Sequence, residues 1–258
     1  YRLVPSVLFT FGKHRHLGLD VGYRFQKEKL TGLTTVQSYP NLYYYTMSGL
    51  EHAVGTIGGY SGFERQYVGN YLIADIQYSY DSDRTKFLLS GGVTALKQNA
   101  WGDMMSSPGS YNAYDYNALA DLQLLGGKGI HEVAVKFDWL DGGADEYLQE
   151  LQSSKDSITG VTTQTWVTLY TYKNRYVVQK ASMNASWTYT ELTADKSGRK
   201  WSVGAEAGYS IFSDTYYLPT SSYGAGKLTA ALHGTTLALD RKGTRLELLL
   251  DVAGSICN

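Results

Sequence analysis

Five histidines and a scatter of carboxylates are the side chains in this 258-residue sequence from which catalysis or metal binding would have to be built. His14 and His16 flank Arg15. On a strand, i and i+2 share a face, and two imidazoles there can share a metal ion. No third ligand stands near them, and a solvated turn is the expected setting. His131-Glu132 and His233 could join a Ser or Asp as a hydrolytic set, but no nucleophile motif accompanies them. GGYSGFERQY at 58–67 is glycine-rich, yet it lacks the strand–GxxxxGK[ST]–helix context of a phosphate loop. It reads as a loop running into a strand. No catalytic residue, metal site or cofactor is expected.

The charged residues follow a different logic. Asp20, Arg24, Asp75, Lys86, Asp121, Glu132, Lys136, Asp138, Glu206, Arg245, Glu247 and Asp251 all stand in segments where polar and apolar residues alternate. In LGLDVGYRF (17–25), Leu17, Leu19, Val21, Tyr23 and Phe25 occupy one face and Asp20 and Arg24 the other. Such alternation specifies a strand with one polar and one apolar face. In a soluble protein the apolar row would face a core. In a membrane barrel it faces lipid and the charges line the interior.

About ten such segments follow one another. They include NYLIADIQYSY, KFLLSGGVTA, YNALADLQLL, EVAVKFDW, MNASWTY, WSVGAEAGYSI, KLTAALHGTTLAL and RLELLLDV. Each is about ten residues long, the length of a tilted strand crossing a hydrocarbon layer. Short connections (KHR, DSDR, GGKG, ADKSGR, DRKG) alternate with long ones at about 29–66, 99–113, 141–180 and 213–226. The third long segment holds TWVTLYTY and RYVVQK, read as a hairpin turning at Lys173-Asn174, and DEYLQELQSSKD (145–156), read as a short helix. Bulky aromatics mark the ends of the apolar rows. Tyr80, Phe87, Trp187, Tyr189 and Trp201 fall at the short-turn ends, and Tyr23, Phe25, Tyr116, Trp139 and Tyr209 toward the long-loop ends. Alanines lie between them, whereas a soluble core would place its largest residues mid-strand.

Composition is compatible with this reading. A formal net charge of −1 gives no basic footprint for nucleic acid. No stretch approaches the 18 or so apolar residues of a membrane helix, although strands need none. The 23 tyrosines suit strands and membrane interfaces. A single cysteine, Cys257, excludes an internal disulfide. The opening YRLVPSVLFTF reads as a mature chain or as a piece of something longer.

In LGLDVGYRF, YLIADIQYSY, EVAVKFDW and WSVGAEAGYSI, with the short-turn/long-loop alternation, the chain resembles a Gram-negative outer-membrane β-barrel. The resemblance implies an all-β, antiparallel up-and-down transmembrane barrel of about 10–12 strands, one domain over 1–258, with short periplasmic turns and long external loops. The 141–180 segment would be external and carry the projecting hairpin. The polar rows then line a lumen with eight acids against four bases. That excess favours cations, or else the charges pair and brace a narrow interior. Tyr60, Phe63, Trp101, Tyr111, Tyr114 and Tyr217 become external-loop contacts. Outer-membrane lipid is the implied surrounding, and the implied role is a non-enzymatic transport pore or a component of a surface complex. A soluble all-β, carbohydrate-binding-like protein is the alternative, separated by detergent dependence, and a barrel enzyme is a third reading. Two features depart from the resemblance. The sequence ends AGSICN, without a terminal aromatic, and the first and last strands both have their outer ends on the long-loop side. These 258 residues are therefore expected not to close a barrel alone; further strands of the parent polypeptide or another chain would complete the wall.

Overall fold

The computed structural model describes residues 1–33, 63–101, 106–107, 109–192, 199–217, 220–241 and 244–257. All of the regular structure described is β: β1 (Arg2–Leu3), β2 (Ser6–Phe11), β3 (Arg15–Leu33), β4 (Phe63–Asp81), β5 (Thr85–Trp101), β6 (Gly109–Leu125), β7 (Gly129–Lys155), β8 (Thr162–Leu192), β9 (Arg199–Tyr217), β10 (Thr220–Arg241) and β11 (Thr244–Cys257). They form one antiparallel sheet in chain order. β1 and β2 both pair with β3, so eleven strands fill ten positions. Pro5 separates the two short strands; without an N–H it cannot donate to the ladder, although its carbonyl still accepts from Val21 at 3.2 Å.

The sheet is open. The strand holding Leu8, β2, pairs only with β3, and the strand holding Leu248, β11, only with β10. The described strands thus form no closed barrel, in keeping with the expectation drawn from strand directions.

Residues with alternating character fall on two faces because a strand's side-chain period is two. Register carries the alternation across the sheet. One row runs Phe9–Leu17–Tyr78–Leu89–Ala120–Val135–Ala185–Ala207–Ala230–Gly254. The next runs Val7–Leu19–Ile76–Gly91–Ala118–Phe137–Met183–Tyr209–Leu228–Ile256. Neither row contains a charge over ten strand positions. A one-residue slip anywhere would exchange the two faces, so the agreement of every pairing is a strong constraint.

Several expectations are corrected. TWVTLYTY and RYVVQK belong to one strand, β8, and the turn of that hairpin lies at 156–161. Lys173-Asn174 instead sits in a bulge: Ala144 pairs with Tyr176 and Glu146 with Tyr172, leaving Lys173, Asn174 and Arg175 opposite Asp145 alone. DEYLQELQSSKD is strand, not helix. Its partner TTQTWVTLYTY is rich in β-branched and aromatic residues and supplies a ladder that outweighs the helical spacing of Tyr147, Leu148 and Leu151. β6 and β9 reach only as far as Glu146 and Tyr176, so the remainder of β7 and β8 projects beyond the sheet as a two-stranded ribbon. Tyr111 and Tyr114 are strand residues of β6 rather than loop residues, since the alternation of SYNAYDY extends pairing with β7 back to Gly109. Likewise β9 and β10 fill most of 213–226. Tyr60 lies outside the described residues; Phe63, Trp101 and Tyr217 stand at the ends of β4, β5 and β9.

Candidate functional site

The two faces differ in chemistry and in crowding. On the apolar face the large side chains stand open: Leu89 is 49 % exposed, Met183 52 %, Leu232 63 % and Val252 60 %. Val7, Leu19, Leu72, Ile76, Phe137, Trp187, Tyr209 and Leu228 are exposed with them. At roughly 50–100 Å² for each such side chain, these twelve alone reach or exceed the ~300–600 Å² of the largest patch on a typical soluble monomer.

Aromatic contacts bound the apolar face at both ends. At the short-turn end Tyr78 packs on Phe87, His131 lies against Trp187 and Tyr189, and Tyr189 meets Trp201. At the opposite end Tyr1 stacks on Phe25, and Tyr116 stacks on both Tyr114 and Trp139. On β7 His131 and Trp139 are eight residues apart, about 27 Å along a strand. For a tilt of about 40° that is about 20 Å across the sheet, close to the ~25 Å apolar band of an outer-membrane barrel.

The opposite face carries the charges that the sequence put together. Asp20, Arg24, Asp75, Lys86, Asp121, Glu132, Lys136, Asp138, Glu206 and Asp251 all occupy its register rows. Arg245 and Glu247 lie in the part of β11 where only backbone pairing is described. Some of these groups are paired. Lys136 Nζ is 3.0 Å from Asp138, Lys86 is 3.7 Å from Asp81, and the Arg24 guanidinium sits 3.6 Å above the Tyr71 ring. Others repel: Asp20 and Asp75 face each other directly across β3 and β4.

Glycines make room for this polar layer. A Cβ on Gly92 would lie 1.7 Å from Asp75 Oδ1, on Gly142 2.2 Å from the Tyr111 hydroxyl, and on Gly204 2.2 Å from His233 Nε2. On the apolar face, a Cβ on Gly254 would meet nothing within 4 Å. Long side chains thus lean over neighbouring strands on the polar face and stand apart on the apolar one, as on the inner and outer surfaces of a curved sheet. A hollow of about 500 Å³ on the polar face agrees with this, since one concavity is lined from Ala134 and Lys136 on β7, through Asn184, Glu206 and Thr229, to Ser255 on β11.

Beyond the long-loop end of the band lies a cluster that sequence reading missed. Tyr67, Ala100 and Ala144 are buried together, with Tyr111 and Tyr176 packed against them. Burial, with Tyr176 and Asp141 adding to it, pushes the Tyr111 phenol up to about 12. Burial and Asp214 likewise raise Tyr176. The signal was present as tyrosines on β4, β6 and β8, but nothing in the sequence said that alanines opposite them would admit the rings.

The histidines among the described residues do not converge. His131 is on the apolar face and His233 on the polar face, 3.4 Å from Thr188 Oγ1. His16 bonds Thr10 at 3.2 Å, and His14 packs on Tyr80. Among the described residues no three His, Cys, Asp or Glu side chains are grouped for a metal ion.

A family model described as "Family of unknown function (DUF6850)" matches residues 1–256. No curated protein and no solved structure matches the chain.

Proposed function

The chain belongs to the DUF6850 family, and we propose that this member is a non-enzymatic wall of an outer-membrane β-barrel, its polar face lining the interior and its apolar face in lipid. It acts as a transport pore or as a component of a surface complex. One observation carries the proposal: two adjacent register rows cross ten strand positions without a charge, half-exposed or exposed throughout, and bounded at both ends by aromatic rings. Water would have to wet that surface in a soluble protein; hydrocarbon satisfies it. The opposite face, polar and rich in acids, suits a water-filled interior through which solutes pass.

Open edges bear on the same reading. Unpaired backbone N–H and C=O groups of β2 and β11 in hydrocarbon would cost several kcal/mol each. Further β-strands, from the parent polypeptide or from a partner chain, cover them in this proposal. β2 runs toward the short-turn end and β11 away from it, so added strands continue the antiparallel order.

The test is reconstitution. Purified protein is placed in vesicles of phospholipid or of the same lipid brominated along its acyl chains, and tryptophan emission is recorded from variants retaining Trp139 or Trp187 alone. Strong quenching of both by the brominated chains is expected. A protein that stays monomeric in buffer without detergent, with neither tryptophan quenched, would establish the soluble all-β alternative instead.

A further inference from the structure

At the root of the β7–β8 ribbon, the Lys173–Arg175 bulge opens a second hollow, of about 470 Å³, lined by Tyr170, Tyr172, Lys173, Asn174, Arg175 and Tyr217. That volume lies within the 300–1,000 Å³ of small-ligand sites. We propose that this hollow is a binding site for an acidic carbohydrate, a hydroxylated ring bearing a carboxylate, sulfate or phosphate. The inference is independent of the membrane reading, because it rests on the bulge and the tyrosines beside it.

The bulge is held in one shape. Asn174 has φ of 50°, the only non-glycine residue at positive φ among the described residues. Its N–H donates to Asp145 Oδ1 at 2.9 Å. Arg175 Nε lies 2.8 Å from Glu146 Oε2, with both side chains largely buried. The same guanidinium sits 4.7 Å from the centre of the Tyr172 ring. Two consecutive acids of β7 therefore hold the second and third residues of a strained bulge, a form of over-determination that accompanies functional sites.

What the bulge presents is a set of open aromatic faces beside polar groups. Tyr170 is 57 % exposed, Tyr172 36 % and Tyr217 53 %. Tyr170 and Tyr172 meet edge to face, with centroids 4.7 Å apart and planes at 65°, so they form two walls of a corner. Apolar C–H faces of sugar rings pack on such rings while hydroxyls reach the Asn174 amide and the phenols. Glu146 neutralises Arg175, whereas Lys173 has no carboxylate partner among the described residues. One unpaired cation beside aromatic walls selects for an anionic substituent on the ring.

The experiment is an array of acidic and neutral oligosaccharides probed with the purified full chain. Retention is expected on acidic glycans and at least tenfold weaker on their neutral counterparts. Y170A/Y172A should lose tenfold or more. K173Q should reduce the acidic preference several-fold while leaving the ribbon intact. N174G, which keeps the left-handed turn but removes the side-chain amide, should weaken retention several-fold; removal of Lys173 and Asn174 together should abolish it. Absence of any retained glycan for a chain whose circular dichroism shows intact sheet would overturn the proposal. So would retention unchanged in Y170A/Y172A. Neither result touches the lipid-quenching experiment, so the two readings fail separately.

Discussion

Consider Val135→Arg beside Ala134→Arg. The positions are adjacent on β7 and lie on opposite faces. Val135 pairs with Ala120 and Ala185 in the middle of a charge-free row, four residues from both His131 and Trp139. Four residues are about 13 Å of strand, so an arginine there cannot reach either polar boundary along the sheet. In a lipid-facing wall the substitution costs about 2–4 kcal/mol at midplane, or about 30- to 700-fold in the folding equilibrium. Ala134 pairs with Asp121 and Ser186 and lines the 500 Å³ hollow beside Lys136 and Glu206. An arginine there gains Asp121 as a partner and has space, and its cost should fall within about 0.5 kcal/mol of zero. Urea unfolding in phospholipid vesicles, followed by tryptophan emission, measures both. Equal costs at the two sites would refute the assignment of the faces. A large cost at Ala134 with none at Val135 would invert it.

Four further outcomes follow from the same geometry. Gly142→Ala should destabilise by about 1–3 kcal/mol, because its methyl meets the half-buried Tyr111 ring. Gly254→Ala, open on the apolar face, should be neutral or slightly stabilising in the same unfolding assay. Tyr111 holds its proton up to about pH 12 in the folded sheet against an ordinary value of 10.0. The stability arising from that shift is complete below pH 10 and is lost as pH rises toward 12, so Tyr111→Phe should flatten the alkaline limb of the stability profile. In the ribbon turn, Asp156 Oδ1 accepts the N–H groups of Ile158 and Thr159, and its carboxyl is held below the usual range. Asp156→Ala should speed proteolysis at 156–161 while leaving near-ultraviolet circular dichroism of the sheet unchanged.

The faces were legible in the sequence and the lengths of the strands were not. A period of two reports which residues share a side, and every register pairing respects the side that the alternation assigned. It does not report where pairing stops. At DEYLQELQSSKD the local spacing favours a helix, and only the threonine- and tyrosine-rich partner across the turn decides for strand. Lys173-Asn174 has the composition of a hairpin turn and does adopt a left-handed residue, but as a bulge within β8. A turn and a bulge ask for the same backbone there; which one forms depends on pairing with Asp145 and Glu146, far away in sequence. The tyrosine cluster was hidden for a related reason. Tyr67, Tyr111 and Tyr176 stand on three strands, and what buries them is the smallness of Ala100 and Ala144 between.

Strand order has a consequence for how the chain reaches this state. Because the described strands from β2 to β11 pair in chain order, with β1 alone reaching past β2 to β3, the sheet can grow one hairpin at a time, and nearly every step closes a turn of a few residues. β3 and β4 are the exception, joined through residues 34–62. Closing a connection about ten times longer than a tight turn costs the unfolded chain about 2 kcal/mol more in entropy. Assembly should therefore begin within β4 to β11, where local pairing is least costly, and the β1–β3 hairpin should dock last. Pulse-labelled hydrogen exchange during refolding would see amides of β5 to β9 protected first. The segment carrying Leu8, Leu17 and Leu19 would be the late-arriving edge, held open longest to whatever strand is to join it.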